Sequence, residues 1–249
     1  MCRRMVLSCG RDETITFKLF TYYINSDNGF APCYANHILT LACCKPQIRR
    51  SIFNKWNDFQ NKGIEVWIMG IRREKEHPHN AFPVYCARVD NIIKLEEYYR
   101  ENGVFTNRID CIYRNVRSLA YARKLSYDQV IESNPSVRRV SKGSDHQFGD
   151  VHSLVRDEDR DIFVKDIAGN CVLHSRCFIH FGSSFKHNAP SEIGEILSIY
   201  SGSSARTYHR FADRDKFRSF LQGLGFNTSD KIVPLDYQGG AAYTGVFDK

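Results

Sequence analysis

The chain has 249 residues, enough to bury one large core or two smaller ones without disulfide or metal support. Hydrophobic residues at 42% and aromatics at 13% exclude a disordered chain, and no apolar run reaches the roughly 18 residues of a membrane helix. A formal net charge of +7 suits a polyanionic partner and equally suits plain solubility.

Nine cysteines, an odd number, are scattered along the chain, several inside apolar runs such as VYCARV and SRCFIHF. That is the usage of small buried hydrophobes in a reducing compartment. The opening MCRRMVLSCGRDE carries only an apolar stub, too short for a secretory segment. The expectation is a soluble, cytoplasmic protein.

In chain order, residues 1–16 lack periodicity and read as a loosely ordered leader. Lys18–Asn25 (KLFTYYIN) has the aromatic and β-branched composition of a strand. Asp27, Asn28 and Gly29 supply a turn, Ile38–Ala42 reads as a buried strand, and Cys44-Lys45-Pro46 breaks it. Lys45, Arg49 and Arg50 follow close together, either as cations around one anion or as ordinary solvated residues. Ile52, Phe53, Trp56 and Phe59 give helical spacing over Arg50–Lys62, ended by Gly63. Ile64–Ile71 and Val84–Val89 read as strands flanking a charged loop, and Leu95, Tyr98 and Tyr99 as a short helix ending near Gly103.

Residues 105–140 are basic and turn-rich, with no assignable element. Ser141–His152 is a polar loop. Asp161–Asp166 and Cys171–Phe181 read as a β-hairpin around Gly169-Asn170, closed by Gly182, and Glu192–Tyr200 as a helix. The last helix is capped by Asp213, with Phe217, Phe220, Leu221 and Leu224 on one face and Gly225 as its stop. One α+β domain over 17–233, with a flexible tail at 234–249, accounts for this order.

Several residue clusters carry candidate chemistry. Cys171, His174, Cys177 and His180 recur every third residue, but on a strand they alternate faces, so one metal cannot collect all four; no metal site is assigned. His77 and His79 read as solvated, and the adjacent Cys43 and Cys44 as buried thiols. Asp145, His146, Asp150 and His152 in SDHQFGDVH form the densest acid–base cluster, readable as a proton-transfer set, as ligands of a divalent metal or as a polar surface loop. No dinucleotide, Walker, HExxH or GxSxG pattern is present.

The blocks DNGFAP at Asp27–Pro32, LTLACCKPQIR at Leu39–Arg49, VYCARV, LEEYY, FGDVH at Phe148–His152 and VLHSRCFIHFG at Val172–Gly182 occur in an order that resembles the nucleotide modification associated domain 2 family. At Lys62–Gly70 the chain departs from the family's G-D-W-V-x-G strand entry, with Glu65 in place of an aspartate directly after the glycine. The resemblance implies a PUA/EVE-like fold, a mostly antiparallel β-barrel or curved sheet with flanking helices. It also implies association with DNA base-modification or phage–host conflict systems.

The residues it carries over are Gly29, Lys45, Arg49, Gly149, Asp150, His152, Ser175 and Gly182. Lys45 and Arg49 suit phosphate contact, Phe30 and Phe148 suit base stacking, and Asp145, Gly149 and Ser175 complete a nucleotide-binding set. Asp150 and His152 would read a base edge or move a proton. The expected function is binding of a modified base or nucleotide in a PUA-like pocket, with DNA-modifying enzymes as possible partners. The alternative is an enzyme that transforms a nucleotide or DNA base through Asp150 and His152. No cofactor is named by the sequence.

Overall fold

A computed structural model describes residues 17–24, 31–73, 81–117, 127–134, 138–139, 163–182, 208–211, 214–227 and 233–234. The first strand, β1 (Phe17–Tyr23), leads to the short hairpin of β2 (Cys33–Ala35) and β3 (Ile38–Leu41). The hairpin loop is two residues long, Asn36 and His37, both left-handed at φ 53° and 59°. That backbone matches the right-handed strand twist. Helix α1 (Pro46–Asn61) then returns the chain to β4 (Glu65–Arg73), which pairs parallel with β1 from Phe17↔Glu65 to Tyr23↔Ile71. Strands β5 (Ala81–Arg88) and β6 (Asn91–Lys94) and the single turn α2 (Leu95–Tyr98) follow. Smaller elements are β7 (Tyr113–Arg114), α3 (Tyr127–Glu132) and β8 (Arg138–Arg139). The remainder comprises β9 (Cys171–Ser175), β10 (Cys177–His180), β11 (Tyr208–Phe211), α4 (Arg214–Gly223), β12 (Phe226–Asn227) and β13 (Val233–Pro234).

The protein is α+β. A mixed five-stranded sheet has the order β10-β5-β4-β1-β11, and an antiparallel four-stranded sheet the order β2-β3-β9-β6. The barrel expectation is corrected here. Among the described residues both sheets are open, and a parallel β1–β4 pair lies at the heart of the larger one. The helical crossover dictates this, because α1 brings β4 back alongside β1 in the same direction.

Both faces of the larger sheet are covered, so its strands read as nearly continuous apolar runs. Phe17, Leu19, Trp67 and Met69 face Phe217, Phe220 and Leu221 of α4 and Leu224 just beyond it. Phe20, Tyr22, Val66 and Ile68 face Leu39, Leu41 and Leu173 of the smaller sheet, together with Ile48, Ile52, Trp56 and Phe59 of α1. The opposite face of the smaller sheet, through Ile93 and Val172, packs with Ala42 just past β3 on Tyr98, Tyr99, Tyr113, Phe163 and Ile167.

Three local expectations change. Helix α1 begins at Pro46, four residues before Arg50, because Lys45 serves as a left-handed N-cap and proline is preorganised for the first helical position. The expected strand at Asp161–Asp166 is helical over its described part, 163–167. Phe163, Asp166 and Ile167 are buried at i, i+3 and i+4, a helical stripe. The expected single strand Cys171–Phe181 divides at Arg176, so β9 joins the smaller sheet and β10 the larger. Ser175 fixes the break: its hydroxyl donates to the Cys177 carbonyl at 3.0 Å and accepts the Cys177 N–H at 3.2 Å. Asp90 Oδ2 accepts the Arg176 N–H at 2.6 Å. The last helix keeps its expected face, with Phe217, Phe220, Leu221 and Leu224 buried and Gly225 left-handed at φ 96°. Its expected cap, Asp213, and the expected helix at Glu192–Tyr200 lie outside the described residues.

Candidate functional site

Because α1 crosses back over the sheet between two parallel strands, its N-terminus returns to the C-terminal end of β1. Lys45 stands at that corner. Its ammonium donates to the carbonyl of Tyr23, the last residue of β1, at 2.8 Å, and lies 5.0 Å from the centre of the Tyr22 ring. The second contact is a cation–π interaction worth about 0.5–2 kcal/mol. Lys45 is half-buried, and burial pushes its ammonium pKa down against the opposing influence of Cys44. A half-desolvated lysine is a strong point charge for an anion.

The backbone holding Lys45 is unusual. Cys44 and Lys45 are consecutive left-handed residues at φ 60° and 44°. Each conformation costs roughly 1–2 kcal/mol in a residue with a Cβ. Lys45 also precedes a proline, which disfavours helical-type backbone there. A buried polar clamp offsets these costs. The Cys44 N–H donates to Asp166 Oδ1 at 2.8 Å, and the Cys44 carbonyl accepts from Arg49 Nε at 2.9 Å.

Arg49 is fully buried and continues the clamp. Its Nη1 donates to the Cys171 carbonyl at 2.8 Å, and its Nη2 donates to the Asp166 carbonyl. Gly169 lies flat against the guanidinium, so that a Cβ there would come within 2.6 Å of Nη1 and 2.8 Å of Nε. The Asp166 carboxylate takes a second donor, the Tyr113 hydroxyl, at 2.9 Å. Burial raises Asp166 to about 6, with Cys44 adding to the rise, while Arg49 and the two donated hydrogen bonds pull it down. Arg49 and ionised Asp166 offset one another's charge, so of these three described groups Lys45 carries the remaining positive charge.

A second polar cluster sits on the smaller sheet. Cys33, Thr40, His174 and Asn91 stand directly opposite one another across β2, β3, β9 and β6, so their side chains share a face. Fully buried Asp110 accepts from Thr40 at 2.6 Å and from Tyr98 at 2.7 Å. Arg108 lies 3.6 Å from the same carboxylate and donates to the Cys33 carbonyl at 3.0 Å and to Thr40 Oγ1 at 2.9 Å. Burial, then Arg176 and Arg108, push His174 down against Asp90, which favours its neutral form. Burial also pushes the Cys43 thiol far above its ordinary range, the state of an inert core cysteine.

Of the nucleotide-site residues carried over in the sequence reading, the structure describes Lys45, Arg49, Ser175 and Gly182, the last left-handed at φ 80°. Lys45 and Arg49 meet in one corner in different roles: Lys45 faces the end of β1, and Arg49 is spent on main-chain carbonyls. Ser175 is buried at the β9–β10 break, away from that corner. Gly29, Phe30, Asp145, Phe148, Gly149, Asp150 and His152 lie outside the described residues, as do His77 and His79. The sequence reading did not single out Asp166, Tyr113, Arg108 or Asp110. The helical spacing of Phe163, Asp166 and Ile167 was the one available signal, since it places Asp166 on the buried face. Among the described residues no group of three His, Cys, Asp or Glu side chains is arranged to hold a metal. No described helix is long and apolar enough to cross a membrane.

A family model described as nucleotide modification associated domain 2 matches residues 16–238. No curated protein and no solved structure matches the chain.

Proposed function

The chain belongs to the nucleotide modification associated domain 2 family, and from that premise we propose that it binds a nucleotide or a DNA base, with a phosphate at Lys45. The observation that carries this reading is the corner itself. It combines the C-terminal end of a parallel strand pair, the N-terminus of a 16-residue helix and a half-buried lysine. Open α/β sheets bind ligands outside the carboxyl ends of their parallel strands, and helix N-termini favour anions. The segment 25–30, which connects β1 to β2, carries Gly29 and Phe30, the glycine and the stacking ring of the reading. Asp150 and His152 then read the base, and a modified base is the preferred ligand. Enzymes that modify DNA bases are the natural partners of such a binder.

The test is binding of DNA bearing modified bases against matched unmodified DNA, with nucleotides as competitors and mass analysis of the nucleosides afterwards. Wild-type protein is expected to bind with a salt-dependent affinity. Lys45→Ala is expected to weaken binding and to reduce the salt slope by about 0.7–0.9, the contribution of one phosphate contact. Unchanged affinity and slope in Lys45→Ala would refute the site. A new nucleoside mass would assign chemistry as well as binding, with Asp150→Ala the first variant to examine for lost turnover.

A further inference from the structure

We propose that Asp166 and Arg49 are the positioning pair of the Lys45 anion site, and that the charge on Asp166 sets how strongly the site attracts phosphate. The inference rests on the reading of Lys45 as the phosphate contact, but it concerns residues which that reading does not use.

Cys44 and Lys45 have no glycine freedom, yet they turn the chain from β3 into α1 and aim the Lys45 ammonium at the end of β1. Both peptide groups that flank the Cys44 α-carbon are held by ionisable partners, Asp166 on its N–H and Arg49 on its carbonyl. Arg49 also donates to the main-chain carbonyl of Asp166, so the helical segment 163–167, the turn and α1 are locked as one unit. Left-handed residues held by such a framework concentrate at ligand sites.

The groups facing Asp166 are Arg49 from α1, Cys43 and Cys44 from the turn, Tyr113 from β7, and Tyr99 just beyond α2. The Cys43 thiol and the Tyr99 and Tyr113 phenols are pushed upward and stay neutral, so among these described groups the charges near neutral pH are those of Arg49, Asp166 and Lys45. When the carboxylate takes a proton on Oδ2, that oxygen becomes the donor and the Tyr113 hydroxyl the acceptor, while Oδ1 keeps the Cys44 N–H. The clamp survives with one negative charge fewer beside the anion site. Burial places this transition near pH 6.

Two measurements separate this inference from the reading it rests on. The first needs no ligand: the nitrogen shift of the Cys44 amide is followed by NMR from pH 4.5 to 8. An inflection near pH 6 is expected, absent in Asp166→Asn. It should move to higher pH in Tyr113→Phe, which removes a donor to the ionised carboxylate. Tyr113→Phe also carries the test should Asp166→Asn fail to fold. The second is binding of a short phosphodiester oligonucleotide, a probe whose own charge is constant over this range. Wild-type affinity should rise on the order of fivefold from pH 7.5 to 5, the effect of removing one unit charge at protein-screened range. Asp166→Asn should bind tightly and lose that slope.

A Cys44 amide with no inflection, or one that persists in Asp166→Asn, overturns the positioning role whatever the binding result. An inflection accompanied by an unchanged slope in Asp166→Asn overturns the electrostatic half. Loss of the Lys45→Ala effect with the amide titration intact would instead remove the phosphate reading and leave the clamp.

Discussion

Replacing Gly169 by alanine tests the clamp through sterics alone. The new Cβ would lie 2.6 Å from Arg49 Nη1, 2.8 Å from Nε, and closer still to Cζ. Ordinary contact begins at about 3.4 Å, and dense interiors offer little room for relaxation, so the guanidinium must retreat by more than half an ångström. It cannot do so and keep its hydrogen bonds to the carbonyls of Cys44, Asp166 and Cys171, which lie on different segments. Each charge-assisted bond is worth about 1.5–3 kcal/mol. Losing two, less the roughly 0.4–1 kcal/mol that alanine recovers by restricting the unfolded chain, gives a net destabilisation of about 2–5 kcal/mol. For a chain of this length that is a fall in Tm of about 5–15 °C. Urea unfolding with an unchanged m-value is the assay, since it isolates stability from changes in compactness. The same substitution in an Arg49→Ala background should cost far less, because the obstructing group is gone. A loss below about 1 kcal/mol in the wild-type background, or an equal loss in both, would refute the steric account.

Other expectations follow from the same buried groups. Asp166 holds its proton more tightly folded, at about 6, than at its ordinary 3.8. The stabilisation from that proton is present below the lower value and is lost as pH rises to the upper, a change of about 3 kcal/mol. Urea midpoints between pH 4 and 6.5 should therefore fall less steeply in Asp166→Asn than in wild type. Tyr98→Phe removes a donor at 2.7 Å from the buried Asp110 carboxylate and should cost about 1.5–3 kcal/mol in urea unfolding. Arg108→Ala should cost about 3–5 kcal/mol in the same assay, because it leaves Asp110 without its buried counter-ion. Gly70→Ala would press a Cβ onto Ile24 Cδ1 and to 2.5 Å from Tyr85 Cε1, overpacking the core at the end of β1 for about 1–3 kcal/mol. Its Lys45-dependent binding should weaken along with its stability if the same corner forms the site.

Composition and periodicity determined a good part of the fold. The apolar runs of β1, β3, β4 and β5 were legible from their length and β-branched and aromatic content, and the stripe of α1 and the Phe217–Leu224 face from helical spacing. Ordered blocks such as LTLACCKPQIR and VLHSRCFIHFG carried the family. The sequence could not say that VLHSRCFIHF serves two sheets, since a strand reads alike on either side of a break held by Ser175 and Asp90. Nor could it say that the strands form open sheets around a parallel pair: pairing direction depends on where α1 returns the chain, a long-range fact absent from local pattern.

The same limit separates Lys45 from Arg49. Both are cations four residues apart, and composition assigns them one role. Burial decides otherwise: it encloses the longer, planar side chain among carbonyls of three segments and leaves the lysine at the surface of the corner. Asp166, an unremarkable acid in the sequence, becomes the counter-charge of that arrangement only because helix 163–167, the Cys44 turn and β7 converge on its carboxylate.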